Sequence, residues 1–588
     1  MQRIFSRHNI RAAWSLDGLW DFALVEDSGA AQPRSYPQAM YVPAAWECTP
    51  GLENHRGVAW YRRRVVLPHG CGGSGLRLLF GGVSHLARVE VDGKPCGTHE
   101  DAFTPWDVVV AAPSNGAEVA VEVDNRFGKK SALHIENDYY SYGGITRPVE
   151  AQCVPPTFIE RVHAVPRRDK KTGWSLDVAV RLRNWTDQPR EAHALCALGG
   201  GMLDFGVVSI APNDRMELRG VLAAPADVRP WSPESPVLYT LETILEEEGQ
   251  PVDDLVERVG FREVAVKGKR LLLNGEPLRL RGFNRHEDHP QFGCALPTEA
   301  MVADLAQVRD MGANFIRTCH YPNDQRFLDL CDELGILVWE ESHARTVDFC
   351  HRRFAEQIET STREMVDWHH NHPCIVMWGC LNECDSVTPA GREVHARVLG
   401  QLRAADPSRP VTYASNKMER DACLELADVV SFNLYTGWYG GKIGEIESRI
   451  KKVLAWVHSD ASGAKGKPFI VSEFGGAAVY GVRQPRHSKW SEEYQRDLLD
   501  EALRVYLAHP DIVGAAIWQF CDVRVTDGFF ATRARTSNNK GVVDDYRRPK
   551  LSYDAVKRRF LESAEHWQVA LARVSKLRSK SAAGTRGG

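Results

Sequence analysis

The sequence predicts a multidomain protein: an N-terminal β jelly roll, an immunoglobulin-like β-sandwich and a C-terminal (β/α)8 TIM barrel. Three observations carry this expectation. A chain of 588 residues is too long for a single hydrophobic core. Its first part, up to about residue 265, is a series of short strand-like runs broken by Gly and Asp turns, the texture of β-sandwiches and jelly rolls. From Lys269 onward strand-like and helix-like runs alternate, the texture of a parallel α/β fold. The expected bounds are 1–155, 156–265 and 266–569, with a basic, disordered tail over 570–588.

In the first domain, Tyr61–Pro68, Leu76–Phe80 and Ala87–Val91 read as strands, and Asp92-Gly93 is a hairpin turn leading into Lys94–Gly97. Pro155-Pro156 then marks a linker. In the second domain Leu176, Val178 and Val180 alternate along one face of Trp174–Leu182, and Leu238–Leu245 forms another strand. The third domain offers eight strand candidates: Leu278–Phe283, Asn314–Thr318, Ile336–Trp339, Cys374–Leu381, Pro410–Tyr413, Val429–Leu434, Phe469–Ser472 and Gly514–Trp518. Helical periodicity falls between most of them, as in Met301, Leu305 and Val308, with Gly312 as the stop.

Composition narrows the function classes. Lys+Arg 73 against Asp+Glu 77 gives no basic face for nucleic acid, and no run has the length of a transmembrane helix. Fourteen cysteines are scattered without CxxC pairs, and several sit in apolar runs (Cys319, Cys374, Cys380). Reduced thiols are therefore expected. The start of the chain, Met-Gln-Arg-Ile-Phe-Ser-Arg-His-Asn, lacks the apolar core of a signal peptide, so the expected location is cytoplasmic.

Two stretches carry the chemistry. Ile375–Glu383 is a buried-strand run that stops on Asn382 and Glu383; Lys467–Gly476 is a second, stopping on Glu473. A carboxylate at the carboxyl end of a barrel strand points into the mouth where such barrels do chemistry. Taken alone, an Asn-Glu pair is more readily a loop cap. Two carboxylates on two strand ends, however, are what glycoside hydrolysis needs: one protonates the leaving oxygen, the other attacks the anomeric carbon. Their neighbours must split their pKa values. We assign Glu383 as general acid/base and Glu473 as nucleophile, with Asn382 placed to hydrogen-bond the sugar 2-hydroxyl. Tyr435, ending the sixth strand, is either a hydroxyl partner of the nucleophile or a core aromatic. His286, His320 and Trp518, at the ends of strands one, two and eight, are candidate sugar contacts. The run His286-Glu287-Asp288-His289 does not have the spacing that places two metal ligands on one helical face. Asn538 and Lys540, preceded by Arg533 and Arg535, form either a carboxylate clamp or a solvated basic loop.

These motifs together resemble glycoside hydrolase family 2 and, within it, the β-glucuronidases. The resemblance rests on Gly18–Phe22 and Ala59–Arg63 in the first domain and Gly260-Phe261-Arg262 closing the second. In the barrel it rests on Gly-Phe-Asn-Arg-His-Glu, Arg-Thr-Cys-His-Tyr-Pro, Trp-Gly-Cys-Leu-Asn-Glu and Ser-Glu-Phe-Gly. It implies a retaining exo-β-glucuronidase. Glu383 and Glu473 would take the roles given above, Tyr435 would lie beside the nucleophile and Tyr439 near the sugar. Asn538 and Lys540 would hold the uronic acid carboxylate, and Asp138 would enter the mouth from the first domain. It also implies a homo-oligomer, dimer or tetramer. Departures from the family pattern are Thr436 in place of a second tyrosine, Gln519 within Trp518–Val523, and a long segment before Ser537 carrying Arg533 and Arg535. They flank the carboxylate clamp, so β-galacturonidase stays open, as do a neutral galactosidase or arabinosidase and, more remotely, a non-catalytic carbohydrate-binding protein. The magnesium motif of the large family 2 galactosidases is replaced by Trp339-Glu340-Glu341-Ser342-His343, so no catalytic metal or other cofactor is expected.

Overall fold

Residues up to Val154 fold as two facing antiparallel sheets. The six-stranded sheet runs Gln38–Val42, Gly18–Val25, Val58–Val65, Ala117–Asp124, Leu86–Val91, Lys94–Glu100; the four-stranded sheet runs Ala13–Ser15, Val149–Val154, Gly75–Phe80, Trp106–Ala111. Alternation along the strands sends Trp20, Phe22, Val89, Leu76, Leu78 and Phe80 into one apolar core between them. The expected hairpin is present: Asp92 and Gly93 have φ of 50° and 72°, the left-handed pair that a tight two-residue turn requires. The structure, a computed structural model, describes residues 2–584 except 30, 72, 129, 130, 170, 172, 348 and 350; for 529–531 and 570–584 it describes the backbone alone.

One expectation fails in this first domain. The thiols are not all reduced: Cys71 and Cys153 form a disulfide, their Cα atoms 5.8 Å apart. The two are 82 residues apart in sequence, so no local spacing signals the pair. Sheet register brings them together, because Cys153 faces Leu76 on the antiparallel strand that begins just after Cys71. Eleven other described cysteines are free.

Residues 157–259 make a second sandwich with its own core. Three strands (Thr157–Asp169, Gly173–Asn184, Arg215–Ala223) pack on four (Gly201–Ile210, Arg190–Leu198, Tyr239–Glu247, Gln250–Val259). This is the three-on-four arrangement of a constant-type immunoglobulin sandwich.

Eight parallel strands then close a barrel: Leu280–Arg285, Phe315–Thr318, Leu337–Glu341, Ile375–Cys380, Val411–Ser415, Val430–Asn433, Phe469–Phe474 and Ile512–Ile517. We number them barrel strands 1 to 8; strand 1 pairs back to strand 8 through Leu280 and Gly514. The apolar runs of the sequence mark all eight. Between strands 5 and 6 only short 3-10 turns intervene, Met418–Arg420 and Leu424–Leu426. The last helix, Ser552–Gly584, continues past Ala570, where the sequence predicts a frayed tail. Residues 585–588 of that tail lie outside the described residues, as do all its side chains. Among the described residues no helix is long and apolar enough to cross a membrane.

The first domain is pinned to the barrel mouth by buried charge. Arg147 Nη2 donates to Glu287 Oε2 at 2.8 Å and to the Pro322 carbonyl at 2.6 Å, and Tyr142 donates to Asp288 at 3.1 Å. Glu287 and Asp288, half of the run that invited a metal reading, are thus interdomain anchors. They hold the loop carrying Asp138 over the ends of strands 1 and 2.

Candidate active site

Strand register builds the floor of the site. Parallel pairing sets Arg317 beside Asn284 on strand 1 and Trp339 on strand 3, and Asn433 on strand 6 beside Glu473 on strand 7. The Arg317 guanidinium lies 4.7 Å from the Trp339 ring centroid. Gly379 on strand 4 makes room for that indole, since a Cβ there would fall 1.9 Å from Trp339 Nε1.

Every N–H of the buried Arg317 fork is used. Nε and Nη2 donate to the two oxygens of Glu341 at 2.9 Å each, and Nη1 donates to Glu473 Oε1 at 2.8 Å. The remaining two go to Asn284 Oδ1 and Asn382 Oδ1, both at 2.9 Å. Burial alone would lower the Arg317 pKa, but Glu341 and Glu473 outweigh it and hold the cation firmly charged.

The two catalytic candidates sit in different surroundings. Glu473 is buried and accepts from two donors, Arg317 and the Tyr435 hydroxyl at 2.8 Å. Burial raises its pKa, Arg317 pulls it back, and Glu383 adds to the rise. Glu383 is half-buried and accepts a single bond, from Asn433 Nδ2 at 2.9 Å. Ser472 Oγ donates to Asn433 Oδ1 at 2.8 Å and so fixes the amide with its N–H toward Glu383. A fixed, doubly hydrogen-bonded carboxylate suits a nucleophile; a carboxylate with one oxygen unengaged suits proton transfer to a leaving group. Residues 381 and 383 both have left-handed backbone, Leu381 at φ 56° and Glu383 at φ 52°, conformations that non-glycine residues hold only where the surroundings impose them.

The walls are aromatic and neutral. Trp518 stacks on His320 with centroids 5.0 Å apart and meets His286 edge-on at 5.4 Å. Burial drives the His286 pKa down to about 3, and burial with Arg317 drives His320 well below its ordinary value, so both imidazoles are uncharged. His286 Nε2 and His320 Nε2 have no protein partner. Buried polar atoms of this kind await a ligand's hydroxyls or water.

The rim comes from loops. Lys540 is buried, and its nearest partner is Asn538 Oδ1 at 3.5 Å. Its ammonium lies over the rings of Tyr439, Tyr435 and Trp438 at 5.2, 5.9 and 5.9 Å. Among the described residues no carboxylate forms an ion pair with it. Asn538 Nδ2 is also unpartnered. The loop that carries both is anchored by Asp522, which accepts from Lys550 at 2.7 Å and from the Gly541 N–H at 2.9 Å. A side chain on Gly541 would fall 2.2 Å from the Asp522 backbone nitrogen. Asp138 reaches the mouth from the first domain, where Arg533 Nε donates to its Oδ1 at 2.8 Å and Nη2 to its Oδ2. Burial would raise the Asp138 pKa, but Arg533 and Lys540 hold it below the usual carboxylate value. Arg533 also approaches the hydroxyl of the exposed Tyr439 at 3.4 Å.

All eleven residues singled out from the sequence therefore surround one mouth. The sequence reading missed Asn284, Arg317, Glu341 and Asn433. Their signal was available: each is a polar residue in the last two positions of its barrel strand. It also missed Arg345, whose loop bridges to Asn382 and whose Nη1 donates to Asn137 Oδ1 at 3.2 Å. Nothing in its local sequence marks that residue.

This arrangement of buried carboxylates, asparagines and neutral histidines at the carboxyl ends of barrel strands defines a glycoside hydrolase site. Comparison with known proteins gives the same class. Residues 264–564 match the model for the TIM barrel domain of glycosyl hydrolases family 2, and residues 157–262 match a further model of glycosyl hydrolases family 2. The chain belongs to glycoside hydrolase family 2 and is β-glucuronidase-like. It is 42% identical to a family 2 β-galacturonidase from Eisenbergiella tayi solved with galacturonate bound. That likeness covers 96% of this chain and 99% of the other, with a TM-score of 0.90. It is 26% identical to a β-glucuronidase of Streptococcus agalactiae, over 94% of this chain and 96% of that protein. To the β-glucuronidase of Homo sapiens it is 27% identical, over 95% and 91%.

Proposed function

We propose that the protein is a retaining exo-β-uronidase whose preferred sugar is a terminal β-galacturonide. The observation that carries the uronide reading is Lys540: a buried ammonium with no carboxylate partner among the described residues. Asp138 lies within its field but is already bound by Arg533, and a buried charge without a contact partner is costly unless a ligand neutralises it. A sugar carboxylate at C6, bound by Lys540 Nζ and Asn538 Nδ2, would do so through charge-assisted hydrogen bonds.

Glu383 protonates the aglycone oxygen as Glu473 attacks the anomeric carbon; water deprotonated by Glu383 then releases the sugar from its ester with Glu473. Asn382 is oriented by Arg317 and keeps its N–H groups for the 2-hydroxyl. The neutral histidines and Trp518 line the sugar ring.

Galacturonide is favoured at C4 by the 42% identity to a β-galacturonidase across nearly the whole of both chains. We assign C4 reading to Arg533, a departure from the family pattern that sits at the mouth bonded to Asp138. The second reading is β-glucuronidase, supported by full-length relatives of that name at 26% and 27% identity. Initial rates on nitrophenyl β-galacturonide, β-glucuronide and β-galactoside separate the two readings. Galacturonide should lead. A leading glucuronide rate would restore the second reading, and a leading galactoside rate would remove the carboxylate clamp.

A further inference from the structure

We propose that Glu341 is a positioning residue that balances the charge of Arg317 through the catalytic cycle: it carries a proton while Glu473 is free and gives it up while Glu473 is tied up as the glycosyl ester. The proposal rests on the reading of Glu473 as nucleophile.

One guanidinium faces two carboxylates, Glu341 through two bonds and Glu473 through one. All three side chains are buried, at 0%, 1% and 5% exposure. The other buried cation nearby, Arg345, faces Glu383 and Asp138 ahead of Glu473, so with both carboxylates ionised Arg317 would be outnumbered away from water, which such a site avoids by keeping one proton. The titratable groups facing Glu341 are few. From strand 2 and its end come Arg317, Cys319 and His320; strand 7 gives Glu473, strand 4 gives Cys380, and the first-domain loop gives Tyr139. Burial keeps both thiols and the phenol uncharged. His320 Nδ1 lies 2.8 Å from Glu341 Oε1, but burial and Arg317 disfavour a second cation there. The proton therefore belongs to the carboxylates. Glu473 takes one Arg317 N–H and the Tyr435 hydroxyl, both bonds to its anion; Glu341 takes two Arg317 N–H groups, but its Oε1 also lies 2.8 Å from His320 Nδ1, where its protonated form can donate to the neutral imidazole. Burial raises Glu341 to about 7, with Arg317 opposing and the Glu473 charge adding to the rise.

Glycosylation changes that balance. As the bond from Glu473 to the anomeric carbon forms, the bond to the aglycone breaks and the Glu383 proton passes to the departing oxygen. Glu473 then carries no charge. Arg317 would be left with an uncharged partner, so Glu341 ionises and its proton passes to bulk water. Hydrolysis of the ester reverses this: Glu473 regains its charge and Glu341 takes a proton back.

The test uses the full-length protein trapped with a 2-deoxy-2-fluoro-β-galacturonosyl fluoride, a reagent that leaves as fluoride and needs no general acid. Mass spectrometry of the trapped protein first locates the label. A label on any residue but Glu473 sinks the mechanism of the proposed function, and labelling only by the matching galactosyl fluoride sinks the uronide reading while leaving the Glu341 test runnable. Difference infrared spectra are then taken at about pH 6, below the Glu341 value, in a Glu383→Gln background so that the acid/base residue contributes nothing. Trapping should remove one protonated-carboxyl band, and the band change should vanish on adding Glu341→Gln. A spectrum that gains the ester carbonyl but loses no protonated-carboxyl band, as it would with the proton on His320, overturns the proposal. Separately, Glu341→Gln leaves Arg317 to stabilise the departing Glu473 carboxylate alone. The trapped Glu341→Gln enzyme should therefore reactivate on the order of 10-fold faster than the parent, one pKa unit of stabilisation. Equal or slower reactivation in a protein with a normal melting curve means Glu341 is only structural. Should that variant not fold, Glu341→Asp replaces it: the lost band should shift in frequency, and an unshifted band, which would place the proton on Glu473, overturns the proposal.

Discussion

The floor and the rim of this site are built differently. The floor is made of strand ends, where Asn284, Arg317, Glu341, Asn382, Asn433 and Glu473 are fixed by parallel register, and every N–H of Arg317 has a partner. The rim is made of loops. There Lys540, Asn538, Asp138, Arg533 and Tyr439 come from three separate segments, and Lys540 and Asn538 keep unmet bonding capacity. On the proposed function the difference separates reaction from recognition. Bond-breaking needs donors and acceptors held within fractions of an ångström, which strand ends provide. Choosing a sugar needs groups that can be exchanged without disturbing that geometry, which loops provide.

Substitutions should separate floor from rim. The largest effect is expected at Glu473→Gln, which should bind uronide but lose about 10^4-fold or more in kcat, because the attacking oxygen is gone. Near-normal turnover in that variant would break the floor's assignment. Next is Lys540→Ala, which should cost about 10^2- to 10^3-fold in kcat/KM on uronides and under about 10-fold on a neutral galactoside. Equal losses on both would mean that the rim lysine supports the fold and does not read the carboxylate. Arg533→Ala should cost about 10-fold and change the ratio of galacturonide to glucuronide rates, since it frees Asp138 from its only ion pair among the described residues. An unchanged ratio would remove Arg533 from C4 recognition.

The smallest effect is at the joint that hangs the rim over the floor. Asp288, bonded to Tyr142, is raised to about 7 by burial, with the Tyr142 hydrogen bond opposing. A carboxyl raised on folding stabilises the protein while protonated, and that contribution is lost as pH climbs from about 4 through 7. Asp288→Asn keeps an acceptor for Tyr142 without the charge. Its melting temperature should exceed the parent's by a few degrees at about pH 8 and match it at about pH 4. A uniform offset at both pH values would argue against that titration.

The same division governs what the sequence reveals. Strand ends are legible because an apolar run stopping on a carboxylate is a local pattern, and Glu383 and Glu473 stand out for that reason. Arg317 and Glu341 end such runs too, but their partners lie across the barrel and only register brings them together. The rim is legible only in part. Asn538 and Lys540 are two positions apart in sequence, whereas Arg533 meets Asp138 across 395 residues. Arg345 has no local mark at all. The Cys71–Cys153 disulfide escapes for the same reason, since sheet register over 82 residues joins the pair.

The proposal that Lys540 receives the sugar's C6 carboxylate decides the substrate class. Its most direct test is the ratio of kcat/KM for nitrophenyl β-galacturonide over nitrophenyl β-galactoside, measured in the parent and in Lys540→Ala. The account predicts a parent ratio of about 10^2 or more that collapses toward one in the variant. A parent ratio near one, or a high ratio that survives the loss of Lys540, would contradict it.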